Sequence, residues 1–571
     1  MLQKVVGMLS QAYIRYSKWE LVIKRIIYIA CFAGLCLIDQ MIGSATGYIQ
    51  YGLKNYTGII IGIIILTAYK PRDFIKIPYL VWIILFFAVR FFTLDWLKAV
   101  IYNDLEVETN IWGIGIYGIV LIRMFYLFVI EKKKPRMNWF PFCVCMLMLA
   151  GMSVIRSDLA WPKALLGAFL CFYLTEFEEK DLNNLYSGMA EGIIAGFFLI
   201  QGQAWLYRPY DSADLRYLGM YSHPNINALL YVSAYCAVLC KWYLMKLKKQ
   251  RVLLRIPFIL LAGVIVGTTV FTGSRTAFIT MGVVTVFFLL FQMLSRKKGK
   301  IIELLADSGV LVIAIVICFL PSYWLIRYVP AYVDNPIYFE GDTFRDTIQK
   351  GDPIDSEKYV ELEEALKKMY SRFFGLIEKK DTNKESAKAD WLDIFMPALV
   401  AEASEWSDWY AAYYNPLDEV YIAPGTDSAH PLLTYRDSLD PVKTRLSIYK
   451  YFLERLELIG EKENPQGVWI HSNYFASHTH NVFLQIAYDF GIIIGVFFIG
   501  ITFMIYNKVL FGLLEKKSGS LYYRLFVTVG FASVLVVFGM LEMCWVYGQL
   551  PFTMFFIVQY IVYHKEEERL Q

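Results

Sequence analysis

The chain has 571 residues, 57% apolar, 17% aromatic and 19% charged, with a formal net charge of +4. Soluble domains usually carry about 25% charged residues, so this composition, with a mean hydropathy of +0.44, excludes an ordinary soluble domain and a basic nucleic-acid binder. Apolar runs that reach the roughly 20 residues needed to cross a bilayer recur along the chain.

The N-terminal stretch MLQKVVGMLSQAYIRYSKWELVIKR has no small-residue cleavage site after a short apolar core. It reads as a retained amphipathic arm on the cytoplasmic side. About fourteen candidate spans follow, near 26–43, 53–69, 77–94, 111–130, 139–154, 159–174, 187–205, 225–245, 253–272, 276–294, 309–328, 480–505, 524–541 and 548–563. The expected fold is an all-α polytopic membrane protein of about 12–14 transmembrane helices. Its expected regions are N-terminal membrane helices (1–328), an inserted loop domain (329–479) and C-terminal membrane helices (480–571).

The loops KPRDFIK (70–76), EKKKPR (131–136), KLKKQR (246–251), SRKKGK (295–300) and EKKSGSLYYR (515–524) alternate with loops poor in Lys. Positive charge marks the cytoplasmic side, so these loops and both termini are expected there. The acidic loop TEFEEKDLNNLY (175–186) breaks the alternation, but acids contribute little to orientation. Segments 206–224, 273–275, 329–479 and the entrance to 480–505 are then expected on the outer face. The nine cysteines lie mostly within apolar runs and read as packing residues.

The inserted block carries 27 acids against 16 Lys and Arg. Its aromatics, among them Trp391, Trp406, Trp409, Tyr410, Tyr413, Tyr414 and Trp469, argue for a folded unit. Helical periodicity is present in 356–380 and 384–404. DPVKTRLSIYKYFLERLELIG (440–460) predicts a helix with Asp440 as cap, Pro441 in the first turn and Gly460 as its end. Val442, Leu446, Tyr449, Leu453 and Leu456 would form its apolar stripe.

Four arginines fall on the expected outer face: Arg208 and Arg216 in YRPYDSADLRYLGMYSHPNINALLY, Arg275 in FTGSRTAF, and Arg445 in the 440–460 helix. A guanidinium keeps its charge at any working pH and grips phosphate oxygens as a fork. Three of the six histidines, His471, His478 and His480, lie within ten residues, and His223 opens the 225–245 span. His480 is expected in the first helical turn, where the helix dipole favours a neutral ring able to act as general base. Asn481 would cap the helix or bond a hydroxyl, and His478 would support His480 or be solvated. H-x-H without a carboxylate at ligand spacing assigns no metal.

HTHNVFLQIAYDFGIIIG (478–495) resembles the signature of the O-antigen ligase and O-antigen polymerase family. RYLGMYSHPNINALL (216–230) is similar to that family's upstream Arg…Gly…Pro-Asn element, TGSRTAF (272–278) to its Ser-Arg turn, and RLSIYKYFLERLELIG (445–460) to its Arg-led helix. Arg208 to Gly219 also resembles the Arg-to-Gly spacing of outer loops in the polymerases. The chain differs in reading GEKENPQG where a Gly-rich turn is usual, and in a longer outer block.

The resemblance implies a GT-C-like glycosyltransferase of the bacterial cytoplasmic membrane, with a large, mostly helical extracytoplasmic loop domain. Such an enzyme would move a glycan from undecaprenyl diphosphate to a hydroxyl of a glycan, lipid or glycolipid acceptor on the extracytoplasmic face. No metal or cofactor is implied. Arg208, Arg216, Arg275 and Arg445 would hold the diphosphate. His480, with Asn481 and His478, would act on the acceptor hydroxyl, and the anomeric carbon would invert. Two other readings stay open: a lipid-linked glycan flippase, with Arg90, Arg123 and Lys163 as intramembrane charges, and a non-enzymatic surface-glycan binding protein.

Overall fold

The computed structural model describes residues 19–38, 47–70, 73–74, 76–157, 160–212, 215–221, 224–294, 300–333, 336, 348–381, 448–460, 468–471, 474–476, 479–514, 519–541 and 550–564, except 101–103. Arg445, His478, His223 and the 384–404 segment lie outside the described residues, as do the block aromatics named above other than Trp469.

The apolar runs fold as helices because a bilayer leaves no water to satisfy a free peptide group. They are α1 (Trp19–Ile38), α2 (Gly47–Leu66), α3 (Ile77–Val100), α4 (Asp104–Phe125), α5 (Trp139–Ile155) and α6 (Ala160–Leu174). Next come α7 (Glu179–Tyr207), α8 (Pro224–Leu247), α9 (Val252–Thr272), α10 (Arg275–Leu294) and α11 (Lys300–Val333). The inserted block supplies α12 (Leu362–Asp381) and a two-stranded antiparallel hairpin, β1 (Val468–His471) with β2 (Tyr474–Ala476). The chain closes with α13 (Val482–Phe490), α14 (Ile492–Leu514), α15 (Gly519–Gly539), α16 (Leu550–Val558) and α17 (Tyr560–Tyr563). Eight helices among the described residues are long and apolar enough to cross a membrane.

Each expected span overlaps a described helix, but two expectations need correction. The 480–505 segment is not one helix: it breaks at Gly491, whose φ is 90°. Ala487 Cβ lies 2.7 Å from where a Gly495 β-carbon would sit. A continuous helix would hold positions eight residues apart about 12 Å from each other, so α13 is folded back on α14. The 440–460 helix, in its described part, ends at residue 453 and not at Gly460. Its buried face is Ile448 and Phe452, packed on Leu484 and Tyr488 of α13, while Leu453 is exposed. The insertion, expected to be mostly helical, also contains the β1–β2 hairpin.

The core is lined by α7, α8 and α15. Of α8, nearly every residue from Pro224 to Tyr243 is buried. The end of the bundle with the basic loops is tied by ion pairs: Lys24 with Asp181 (2.7 Å), Arg25 with Glu191 (2.7 Å), Arg524 with Glu179 (3.8 Å), and Lys241 with Glu191. At the opposite end the insertion docks on the bundle. Val360 N donates to Tyr210 O (3.2 Å) and Ser212 N to Lys358 O (2.9 Å). Arg327, buried near the end of α11, donates to Val360 O and Ile354 O (both 3.1 Å) and to Glu361 Oε1 (2.9 Å). Seven of the described cysteines are buried, as packing residues would be, and Cys143 is exposed.

Candidate functional site

Two side-chain groups occupy the end of the bundle where the insertion docks. The first surrounds the α9–α10 turn. Helix α9 stops because Gly273 takes the left-handed conformation, φ 65° and ψ 17°, with its N–H donating to Val270 O. That geometry favours glycine. The turn exposes its backbone carbonyls, and arginines take them. Arg216 Nε donates to Thr272 O (2.7 Å), while its Nη2 donates to Asn225 Oδ1 (2.7 Å). Arg372, from α12, donates through Nε to Gly273 O (3.2 Å). Arg275 Nη1 in turn donates to Arg372 O (3.4 Å). A Gly273 β-carbon would lie 3.1 Å from Arg372 Cδ, 3.2 Å from Arg372 Nε and 3.5 Å from Arg216 Nε. Three cationic side chains therefore gather around one glycine.

The loop that delivers Arg216 is itself built on a buried polar network. Tyr217 N donates to Phe271 O (2.7 Å), Gln201 Nε2 to Tyr217 OH (3.3 Å), and Asn227 Nδ2 to Tyr231 OH (2.8 Å). Gly219, at φ 60°, presses against the Asn227 amide, 2.6 Å from where its β-carbon would be. Arg208 caps the C-terminus of α7 and is buried, with its N–H donating to Ala204 O (2.9 Å).

The second group is the His480 turn. His480 is not in the first helical turn as the sequence suggests. It precedes the cap, in a left-handed conformation (φ 52°), with its side chain 1% exposed. Asn481 is the N-cap of α13, its Oδ1 accepting from Phe483 N (2.9 Å) and Leu484 N (3.0 Å). The backbone on either side of His480 is clasped. Thr479 Oγ1 donates to Asn481 O (2.8 Å) and accepts from Asn481 N (3.2 Å). Thr479 N donates to Gln485 Oε1 (2.8 Å), and Gln485 Nε2 donates to Asp489 Oδ1 (3.0 Å). A non-glycine residue at positive φ persists only where its surroundings fix it, and this chain of bonds does so.

Helix register relates the two groups. Leu247 Cδ2 lies 3.8 Å from the position of a Gly519 β-carbon, and Cys236 Sγ lies 2.8 Å from that of Gly530. Helices α8 and α15 therefore run antiparallel, and the same register sets Met540 level with Ile226. Asn481 Nδ2 donates to Met540 O (3.0 Å), and Asn225, beside Ile226, receives Arg216. The His480 turn and the arginine turn thus occupy the same end of the bundle, joined through the ends of α8 and α15.

Of the residues singled out in the sequence, Arg216 and Arg275 are brought to one turn, and His480 and Asn481 to another at the same level. Arg208 is buried at the end of α7, next to the loop that carries Arg216. Arg445 and His478 are outside the described residues. Sequence reasoning missed Arg372 and the Thr479–Gln485–Asp489 chain. Nothing in the pattern of α12 distinguishes Arg372 from Lys367 or Lys368, whereas Gln485 and Asp489, both within the quoted 478–495 motif, are spaced four apart on one helix face. Comparison with protein-family models, curated proteins and solved structures finds no match to this chain.

Proposed function

We propose that this chain is a membrane glycosyltransferase of the O-antigen ligase and polymerase type, with a GT-C-like architecture and its active site on the extracytoplasmic face of a bacterial cytoplasmic membrane. The observation that carries the reading is the shared level of the arginine turn and the His480 turn. A lipid-linked donor keeps its tail in the bilayer and its diphosphate at the interface. A cation cluster and an imidazole at one end of a helical bundle suit that placement.

In this reading Arg216 and Arg275, with Arg208 and Arg445, bind the diphosphate of an undecaprenyl diphosphate-linked glycan. Their fixed charge stabilises the negative charge that builds as the glycosyl bond breaks. His480 accepts the proton of the acceptor hydroxyl, whose oxygen attacks the anomeric carbon from the face opposite the diphosphate and inverts it. Asn481 sets the start of α13, and His478 supports the ring. The acceptor is a glycan, a lipid or a glycolipid. The basic loops face the cytoplasm, and the insertion lies outside.

The flippase reading gains less support. Arg123 lies near Asp73 (3.6 Å) and Glu131 (3.8 Å), Lys163 donates to Ser157 O (2.8 Å), and Arg90 lies over the Trp112 ring (5.1 Å). Local partners account for these charges without a transport path.

The test is purified protein given an undecaprenyl diphosphate-linked glycan and an acceptor, with no energy source. Release of undecaprenyl diphosphate with glycosylated acceptor is expected. His480→Ala should lower that release by at least about a hundredfold while the protein stays folded and inserted. Wild-type turnover by this variant would remove His480 from the mechanism, and no release by the wild-type protein would overturn the reading.

A further inference from the structure

We infer that the α8–α9 turn is a headgroup site for an anionic phospholipid, with Lys248, Lys249 and Arg251 on the phosphate and the start of α9 along the acyl chains. This needs only the membrane-spanning helices and is independent of the donor reading. The observation is an exposed group of cations with no acid to answer it. Elsewhere at this end of the bundle, basic side chains are held within the protein: Lys24 by Asp181, Arg25 and Lys241 by Glu191, Arg524 by Glu179 and Lys246 by Asp307. In the 131–136 loop, Glu131 takes Lys133 (2.9 Å). Lys248, Lys249 and Arg251 are exposed, and none of these side chains has an ion-pair or hydrogen-bond partner among the described residues. Their loop, KLKKQR (246–251), contains no Asp or Glu.

Backbone bonds fix the turn that presents these cations. Lys249 N donates to Lys246 O and Gln250 N to Met245 O (both 3.0 Å), which ends α8 with Lys249 left-handed at φ 50°. Glycine is the ordinary residue at such a position, and a lysine there costs backbone energy. The negative end of a helix dipole attracts a cation, but it does not account for three such cations among residues 248–251. Orientation across the bilayer is served by positive charge anywhere in the loop and does not call for a left-handed lysine. Directly beyond the turn the surface becomes apolar. Leu253, Ile256 and Leu260 share one face of α9 and are all exposed. They form a strip about 10 Å long leading from the cations toward the bilayer interior. A phospholipid matches both parts, its phosphate at the cations and its chains on the strip, whereas free phosphate leaves the strip bare.

The experiment is native mass spectrometry of the full-length protein in detergent, titrated with phosphatidylglycerol, phosphatidylcholine or inorganic phosphate, with thermal melting measured alongside. Wild type is compared with Lys248→Gln/Arg251→Gln, with Lys249→Asn, and with Lys132→Asn/Lys134→Gln, which removes two charges from the 131–136 loop. Asparagine tolerates the left-handed conformation, so Lys249→Asn removes charge and keeps the turn. Wild type should hold phosphatidylglycerol in preference to phosphatidylcholine and melt higher with it. Lys248→Gln/Arg251→Gln should weaken phosphatidylglycerol binding by about tenfold or more, and Lys249→Asn by about fivefold, each melting as wild type without added lipid. The 131–136 variant should bind as wild type. Wild-type binding of phosphatidylglycerol by both turn variants overturns the site. An equal loss in the 131–136 variant overturns it too, because the attraction would then belong to the basic face as a whole. Equal retention of the two lipids by wild type, or equal stabilisation by inorganic phosphate, overturns an anionic phospholipid as the occupant. Transfer activity enters none of these readouts, so the donor reading stands or falls separately.

Discussion

At the scale of single residues, the two turns hold their candidate residues by opposite means. Gly273 works by having no side chain, so that Arg216 and Arg372 close on it from two sides. His480 keeps a side chain in a left-handed conformation and relies on Thr479, Gln485 and Asp489 to fix it there. Arg216, Arg275 and His480 could be singled out in the sequence because each stands in a short polar segment between apolar runs, and the structure brings Arg216 and Arg275 to one turn. Arg372 could not, because several cations share its helix and only the fold selects which one meets Gly273.

At the scale of elements, the break between α13 and α14 escaped the sequence because a single glycine in a continuous apolar run leaves the helical period unchanged. The structure gives the break its reason. Segment 457–460 crosses it backbone to backbone: Ile492 N donates to Glu457 O (2.9 Å) and Ile493 N to Leu458 O (3.5 Å). These carbonyls satisfy the opening N–H groups of α14, and they are available because the preceding helix ends at residue 453. Of the expected apolar stripe, Leu453 is exposed, and Ile448 and Phe452 form the buried pair of the described part. A β-carbon at Gly491 would come within 2.5 Å of Gly460 N and 2.6 Å of Leu458 O, backbone atoms with little freedom to move. Gly491→Ala should lower thermal stability by several degrees. Unchanged melting in detergent would show that the crossing tolerates a methyl group.

At the scale of the whole molecule, the polytopic helical character was legible from hydropathy, but where about 12–14 spans were expected, eight helices among the described residues are long and apolar enough to cross a membrane. What hydropathy could not supply was the docking of the insertion, which depends on buried polar bonds. Arg327 is the largest of these, stacked over Tyr359 (4.4 Å) and Tyr328 (5.0 Å) and bonded to two insertion carbonyls. Arg327→Met would leave Ile354 O without this donor, at a cost of about 1–3 kcal/mol, while Val360 O keeps the Tyr323 hydroxyl (3.0 Å). Faster proteolysis within the insertion at unchanged helix content is the expected result, and wild-type resistance would count against the contact.

The stretch 382–447 is bracketed by two anchorages, Arg372 on Gly273 before it and the crossing at Gly491 after it. Exchanging residues 382–444, which leaves Arg445 in place, for a foreign stretch asks whether these two anchorages hold the chain on their own, with unchanged melting of the membrane helices as the readout.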